Sequence, residues 1–318
     1  MRKATLKNIL VFFYGITITL LILPFYVDGD QRHYREFYEN ISNLGLLEAF
    51  DYYTNTLGTK EPGYFILIYL CEPFVSKDVL MSVLNGVLSF LLARFFVRQK
   101  TSLIVIFLLL CNYYLFVLFF AAERLKLALL LYFLAYESTK GRGGFIFVAV
   151  MSHVQTLLLI FIRIFEKSTS DIFSVLRGKS KDFRSTIFVL IGIFLMLYLL
   201  RDHILDKQAA YSAMRGGQNS FSGGLFSTVK PLIFTVFSYI CSRAKYQALL
   251  LQTPLVVAAF FLGDERVAIF SYFVFMYYGL QLRRGLNFFV ISTAMYFAYN
   301  GLLFATTIIR FGNGYHVI

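Results

Sequence analysis

Glu123-Arg124-Leu125-Lys126 interrupts a stretch that is otherwise apolar, following Phe119-Phe120-Ala121-Ala122 with almost no loop between. An ionisable side chain in such surroundings costs at least about 2.5–3.5 kcal/mol on insertion scales, so it needs a reason to be there. Arg124 is permanently charged and presents a planar fork of donors, which suits a phosphate. Glu123 reads as its ion partner; the plainer alternative has both Arg124 and Lys126 reaching to an interface. His153 stands in the middle of another apolar run, with Ser152, Gln155 and Thr156 around it. An imidazole that titrates near neutrality suits proton transfer; a satisfied core histidine is the plainer alternative. Glu61 opens Glu61-Pro62-Gly63-Tyr64, where Pro favours a first helical turn. Its carboxylate is then either a helix cap or a base. Asp264-Glu265-Arg266 opens a further apolar run. Acids suit a helix start, but Arg266 opposes that preference and wants an anion, either Asp264 or a phosphate. Arg215, in Arg215-Gly216-Gly217-Gln218, is either another phosphate contact or part of a flexible loop.

These residues sit in a chain built for the membrane. Of its 318 residues, 58% are hydrophobic and only 15% charged. Soluble proteins hold about 45–50% and about 25%. A soluble fold of this size could not hide so much apolar surface. The 37 Phe and 22 Tyr stand against no Trp, so Tyr must serve as the interfacial anchor. The net charge of +12 would suggest nucleic acid in a soluble protein; here it reflects cytoplasmic loops, and no nucleic-acid partner is expected. Cys71, Cys111 and Cys241 all lie inside apolar runs, which is neither a disulfide framework nor a metal cluster.

A spanning helix needs about 20 mostly apolar residues. Runs at 8–27, 79–97, 102–121, 125–139, 186–201, 226–242, 247–263, 267–282 and 287–309 qualify. The run 62–75 is short and broken by Glu72-Pro73, and 144–165 carries His153 and Gln155 at its centre. Arg2, Lys3 and Lys7 keep the N-terminus in the cytoplasm, and the first span is read as uncleaved. The loop 28–61 holds seven acids against three Lys and Arg and belongs outside. The basic loop 165–185 belongs inside, while the Gly-rich loop 202–225 and the C-terminal tail belong outside. If 62–75 and 144–165 each crossed once, Arg98/Lys100 and Lys140/Arg142 would land outside. If both are broken or re-entrant, those clusters return inside. Broken helices at membrane depth are tolerated where they line a cavity. The sequence therefore predicts one all-α polytopic domain of nine to eleven transmembrane helices. Short or broken elements near Glu61–Phe74 and His153 line an outward-facing cavity. A simple eleven-span layout is the alternative.

Within the outer loop, Ile41, Leu44, Leu47 and Phe50 recur at helical spacing and predict an amphipathic helix lying on the membrane. Tyr34, Tyr38, Tyr52 and Tyr53 offer flat faces for sugar rings, or serve as interfacial anchors. Asp28-Gly29-Asp30 has the spacing of a metal-binding pair, but no strong ligand set surrounds it, and neither metal nor other cofactor is expected.

Four elements, in order, resemble one family. They are Gly29-Asp30 with Tyr34, Glu61 to Tyr64, Arg124 with His153, and Arg266 with Tyr272-Phe273. Their order and spacing resemble the EpsG-like polysaccharide polymerases, which include Wzy-type O-antigen polymerases. The chain departs in having Leu125 after Arg124, where the family usually has Gln, and one span rather than two before the Asp loop. The resemblance implies a glycosyltransferase of the bacterial inner membrane, active on its outer face. It would polymerise lipid-diphosphate-linked repeat units into O-antigen, capsule or exopolysaccharide. Polyprenyl-diphosphate-linked glycans would be donor and acceptor, membrane lipids would surround the chain, and a chain-length regulator would be its protein partner. Arg124 and Arg266, with Arg215 in reserve, would hold the diphosphate. His153, Asp30 and Glu61 are the candidate bases, and Tyr34 and Tyr64 the candidate sugar contacts. A lipid-linked oligosaccharide flippase, a related membrane glycosyltransferase and an O-antigen ligase are the competing readings.

Overall fold

The computed structural model describes residues 2–176, 220–262 and 265–315, which form helices and connecting turns without a strand. They fall into two compact units, Met1–Thr156 with Ile291–Ile318, and Leu157–Val290.

In the first unit α1 (Arg2–Ile22) packs on α5 (Lys77–Arg98). Gly15 faces Ser89 while Thr19 accepts from Asn85, so the two helices run antiparallel. Small residues set their separation. A Cβ on Gly15 would stand 2.7 Å from the Asn85 carbonyl oxygen, and one on Gly86 2.8 Å from Ile16 Cγ1. The acidic segment between them folds into α2 (Asp30–Asn40), α3 (Leu46–Leu57) and α4 (Pro62–Cys71). After α5 come α6 (Leu103–Leu110), α7 (Tyr113–Phe120), α8 (Glu123–Glu137) and α9 (Arg142–Ser152), and α10 (Thr156–Leu176) then belongs to the second unit.

Ion pairs mark the two ends of this unit. Lys77 meets Glu123 where α5 and α8 begin, and Arg94 and Arg98 meet Glu137 at 2.7 and 2.5 Å where they finish. The antiparallel packing places Lys7 at this second, basic end, while the 28–61 segment lies at the first. The C-terminal helix also returns to the first end, since Val27 and Asp28 N–H groups donate to the Gly312 carbonyl at 3.1 and 2.9 Å. Lys7, Arg94 and Arg98 thus share one end of this unit, and the acidic 28–61 segment lies at the other.

The second unit holds α11 (Ser220–Cys241), α12 (Lys245–Leu262) and α13 (Glu265–Gln281). A buried polar node joins all three. Gln252 donates to Ser238 Oγ at 2.8 Å and to the Ser271 carbonyl at 3.0 Å, and Ser271 Oγ donates to Gln252 Oε1 at 2.6 Å. The final helix, α14, is Phe288–Phe311.

Thr5–Phe25, Lys77–Arg98 and Arg283–Phe311 are long and apolar enough to cross a membrane. Leu103–Leu110 with Tyr113–Phe120, bent by 44°, makes a fourth if the pair is one span. The run 102–121 is thus broken rather than continuous. The side chain of Asn112 caps α7 by accepting from the Tyr114 N–H at 2.9 Å. Both runs that decided parity are interrupted too. α4 has 10 residues, about 15 Å at 1.5 Å per residue, too short to cross. The run 144–165 divides into α9 and α10 at His153–Gln155. Several expectations need correction. The 28–61 loop carries two helices, not one, because Gly45 and the turn before it break the pattern. Ile41 is then buried while Leu47 is 80% exposed, so they do not share a face. Residues 165–176 of the expected inner loop continue α10, and residues 220–225 of the expected outer loop begin α11. The span 186–201 and the rest of both loops lie outside the described residues.

Candidate functional site

Three helices begin close together at the acidic end of the first unit. Each sends two side chains inward from its beginning: Gln31 and Tyr34 from α2, Glu61 at the N-cap and Tyr64 from α4, Glu123 and Arg124 from α8. On α2 and α4 the two are three residues apart, which stacks them one turn above the other. The result is two polar layers.

The first layer centres on Glu61. Its Oε2 lies 2.9 Å from Arg124 Nη1, and its Oε1 lies 3.0 Å from His153 Nδ1. Oε1 also accepts from the Val154 N–H at 3.0 Å, and Arg124 Nε donates to the Tyr34 hydroxyl at 3.3 Å. The local fold explains this arrangement. Pro62 starts α4, so Glu61 stands at its N-cap, yet its side chain makes no capping bond there. It reaches instead to the break between α9 and α10. There the backbone turns extended at His153 and leaves the Val154 N–H without a helical acceptor. Burial alone would push the Glu61 carboxyl up. The His153 N–H, the Arg124 guanidinium and the Val154 N–H outweigh burial and hold the carboxyl well below the usual carboxylate range. Glu61 is therefore an anion that links a fixed cation to an imidazole, not a cap for its own helix.

The second layer centres on Glu123. Lys77 Nζ and Gln31 Nε2 each lie 2.7 Å from its Oε1, and the Tyr64 hydroxyl donates to Oε2 at 2.6 Å. Lys77 also donates to Gln31 Oε1. Glu123 was expected to pair with Arg124; it pairs with Lys77, since successive helical residues point about 100° apart. Lys126 does not reach an interface. It is fully buried and donates to the Phe119 carbonyl at 3.2 Å, sharing it with Asn85 at 3.0 Å. Gln31 serves the next carbonyl, Phe120, at 2.5 Å. These are carbonyls that the end of α7 leaves unpaired. The Tyr34 and Tyr64 rings meet edge to face with centroids 5.7 Å apart, which joins the layers.

Two features leave room for an anion. The Arg124 side chain is 14% exposed, and its Nη2 makes no hydrogen bond to the described residues. The Tyr53 hydroxyl is buried beside this guanidinium, close enough to be drawn to it but short of full hydrogen-bond geometry.

Of the residues singled out by sequence, Tyr34, Glu61, Tyr64, Arg124 and His153 come together. Asp30 opens α2 one turn before Tyr34 and acts electrostatically on Tyr26. Arg266 is the second residue of α13, in the other unit, and its side chain lies outside the described residues, as does all of Arg215. Among the described residues no three His, Cys, Asp or Glu side chains gather as a metal site. Sequence reasoning missed Lys77 and Gln31. A signal for Lys77 existed: like Arg266 it is a cation at a helix start, against the dipole.

The layers depend on a close approach of α4 to α9. A Cβ on Gly63 would stand 2.4 Å from Ser152 Oγ and 2.7 Å from Ser152 N. Gly63→Ala must therefore shift α4, and Glu61 with it. Overpacking of this kind costs about 1–3 kcal/mol. Thermal unfolding of the variant in lipid nanodiscs should show that loss.

No protein-family model, curated protein or solved structure matches the chain, so the chemistry of the site is argued from its own residues.

Proposed function

We propose that the chain is a membrane glycosyltransferase of the Wzy type. It would join lipid-diphosphate-linked oligosaccharide repeat units into polysaccharide on the outer face of a bacterial inner membrane. The observation that carries this reading is a buried guanidinium with an open donor edge, held through Glu61 to an imidazole. Glycosyl transfer from a lipid diphosphate needs both parts. The acceptor hydroxyl attacks the anomeric carbon, the bond from that carbon to the diphosphate oxygen breaks, and the polyprenyl diphosphate departs with the bonding electrons. Arg124 holds the departing charge through Nη2. The hydroxyl proton passes to His153 Nε2, in the tautomer whose Nδ1–H donates to Glu61. In that tautomer Nε2 is an acceptor, so the Gln155 amide 3.2 Å away must turn its N–H toward it, in the place the acceptor hydroxyl would take. Asp30 stands as the alternative base. Arg266 and Arg215 are further clamps, and Tyr34 and Tyr53 would face the sugar, while the Tyr64 hydroxyl is turned to Glu123. The remaining apolar runs are read as spans or broken spans around an outward-opening cavity, nine to eleven in all, with the basic end in the cytoplasm. The guanidinium charge does the work that a metal ion does in other transferases, and the reading calls for no cofactor.

The test is reconstitution. Protein in nanodiscs is given lipid-diphosphate-linked repeats isolated from cells that lack it. A ladder of products supports the polymerase. Transfer only to a separate lipid core supports a ligase. In vesicles, movement of the repeat between leaflets without bond formation supports a flippase and overturns the transferase.

A further inference from the structure

The Glu123 layer has no place in the transfer steps above, yet it is the more deeply buried of the two. Lys77 is 5% exposed and Glu123 1%. An ion pair so removed from water adds little net stability and is often replaceable by apolar residues of similar size. Its geometry suggests a different use. Glu123 and Arg124 are consecutive residues, so whatever fixes Glu123 fixes where Arg124 emerges. Glu123 is held from three elements at once: Gln31 on α2, Tyr64 on α4 and Lys77 on α5. On α2 and α4 those anchors stand one turn from the residues that touch Arg124. Gln31 lies beneath Tyr34, and Tyr64 beneath Glu61. Lys77 also lies 6.0 Å from the centre of the Tyr34 ring, so it bears on both layers. The start of α8 is thereby held at two levels.

We infer that Lys77, Glu123, Gln31 and Tyr64 form a positioning layer that sets where the Arg124 guanidinium meets the departing diphosphate. The inference rests on the transferase reading, and it assigns no contact with substrate to these four side chains. A displacement of about 1 Å at a reacting group can cost about 100-fold in rate. Loss of the layer should therefore lower kcat about that much and change KM little, because Arg124 acts mainly on charge that develops as the bond breaks.

The experiment compares Lys77→Met, Lys77→Arg and the double variant Lys77→Met/Glu123→Leu with the parent protein in nanodiscs. All receive lipid-diphosphate-linked repeats isolated from cells lacking the protein. Single removal of one charge can unfold the chain, and the double variant guards against that, since it removes both charges and keeps the volume. The expected result is a double variant that melts like the parent but turns over about 100-fold more slowly, with Lys77→Arg recovering most of the rate. A double variant that melts and turns over like the parent makes the layer merely structural and overturns the inference. So does a loss that falls on KM alone. Arg124→Ala runs beside them as the control for the transferase reading. If that variant turns over normally, the reading fails and the positioning role falls with it; if only the double variant is normal, the inference alone fails.

Discussion

Arg124→Ala is expected to insert and fold yet to lose long glycan chains, with transfer slowed about 100- to 1000-fold. The size follows from what the guanidinium faces. Its Nη1 and Nε are committed to Glu61 and Tyr34, and Nη2 is the edge left for a ligand. A pre-organised cation in a site with little water stabilises a developing diphosphate far more than a solvated one does. Arg124→Lys should fall between the two, since it keeps the charge but cannot hold Glu61, Tyr34 and a phosphate oxygen together. Chain-length ladders from cells lacking the native copy, complemented with each variant, read the effect directly, and membrane abundance of the protein separates it from misfolding. Arg266→Ala is expected to give the same loss, on the proposal that this arginine at the start of α13 is a second clamp. Parental chain lengths in both variants would end the assignment of these arginines as clamps.

The interrupted helices leave a trace in the sequence because charge is a long-range constraint. The expectation that Arg98 and Lys140 stay on one side of a membrane called for 62–75 and 144–165 to turn back or break; α4 is short and 144–165 divides at His153–Gln155. The polar residues in those interruptions, Glu61 and His153, were readable for the same reason: an ionisable group among apolar neighbours must find a partner. Partner choice was not readable. Glu123 and Arg124 look paired along the chain, but a helix turns consecutive side chains apart. The true partners, Lys77 and Glu61, are 46 and 63 residues away in sequence. Such pairings depend on how α2, α4, α5 and α8 pack, which local pattern does not report. The single amphipathic helix at 41–50 failed for a related reason. Apolar spacing registers periodicity, while Gly45 and the residues around it prefer a turn, and the turn won. The break at Cys111–Asn112 had a local signal, an Asn that can cap a helix, set in a run apolar enough to hide it.

Glu61 is the residue whose loss should do most harm, because two different functions meet at one carboxylate. It accepts from His153 Nδ1, which fixes the tautomer that leaves Nε2 able to take a proton, and it balances the Arg124 charge. Glu61→Gln keeps the volume and one acceptor oxygen but neutralises the link between the two. Where a carboxylate that orients a catalytic imidazole is changed to its amide, transfer falls on the order of 10⁴-fold. That loss is expected here with the fold retained. Glu61→Ala goes further, stranding a buried guanidinium, an imidazole and the Val154 N–H, and should cost about 3–5 kcal/mol of stability. The pairing itself has a sharper consequence. Once Glu61 is gone, the Arg124 cation is a burden rather than a partner, so Glu61→Ala/Arg124→Ala should melt above Glu61→Ala alone. The non-additivity should lie between about 0.5 and 3 kcal/mol, as for residues in direct contact. Thermal unfolding of the parent, the two single variants and the double variant in nanodiscs measures it. Strict additivity would mean that the two side chains do not share the buried contact on which the transfer chemistry depends.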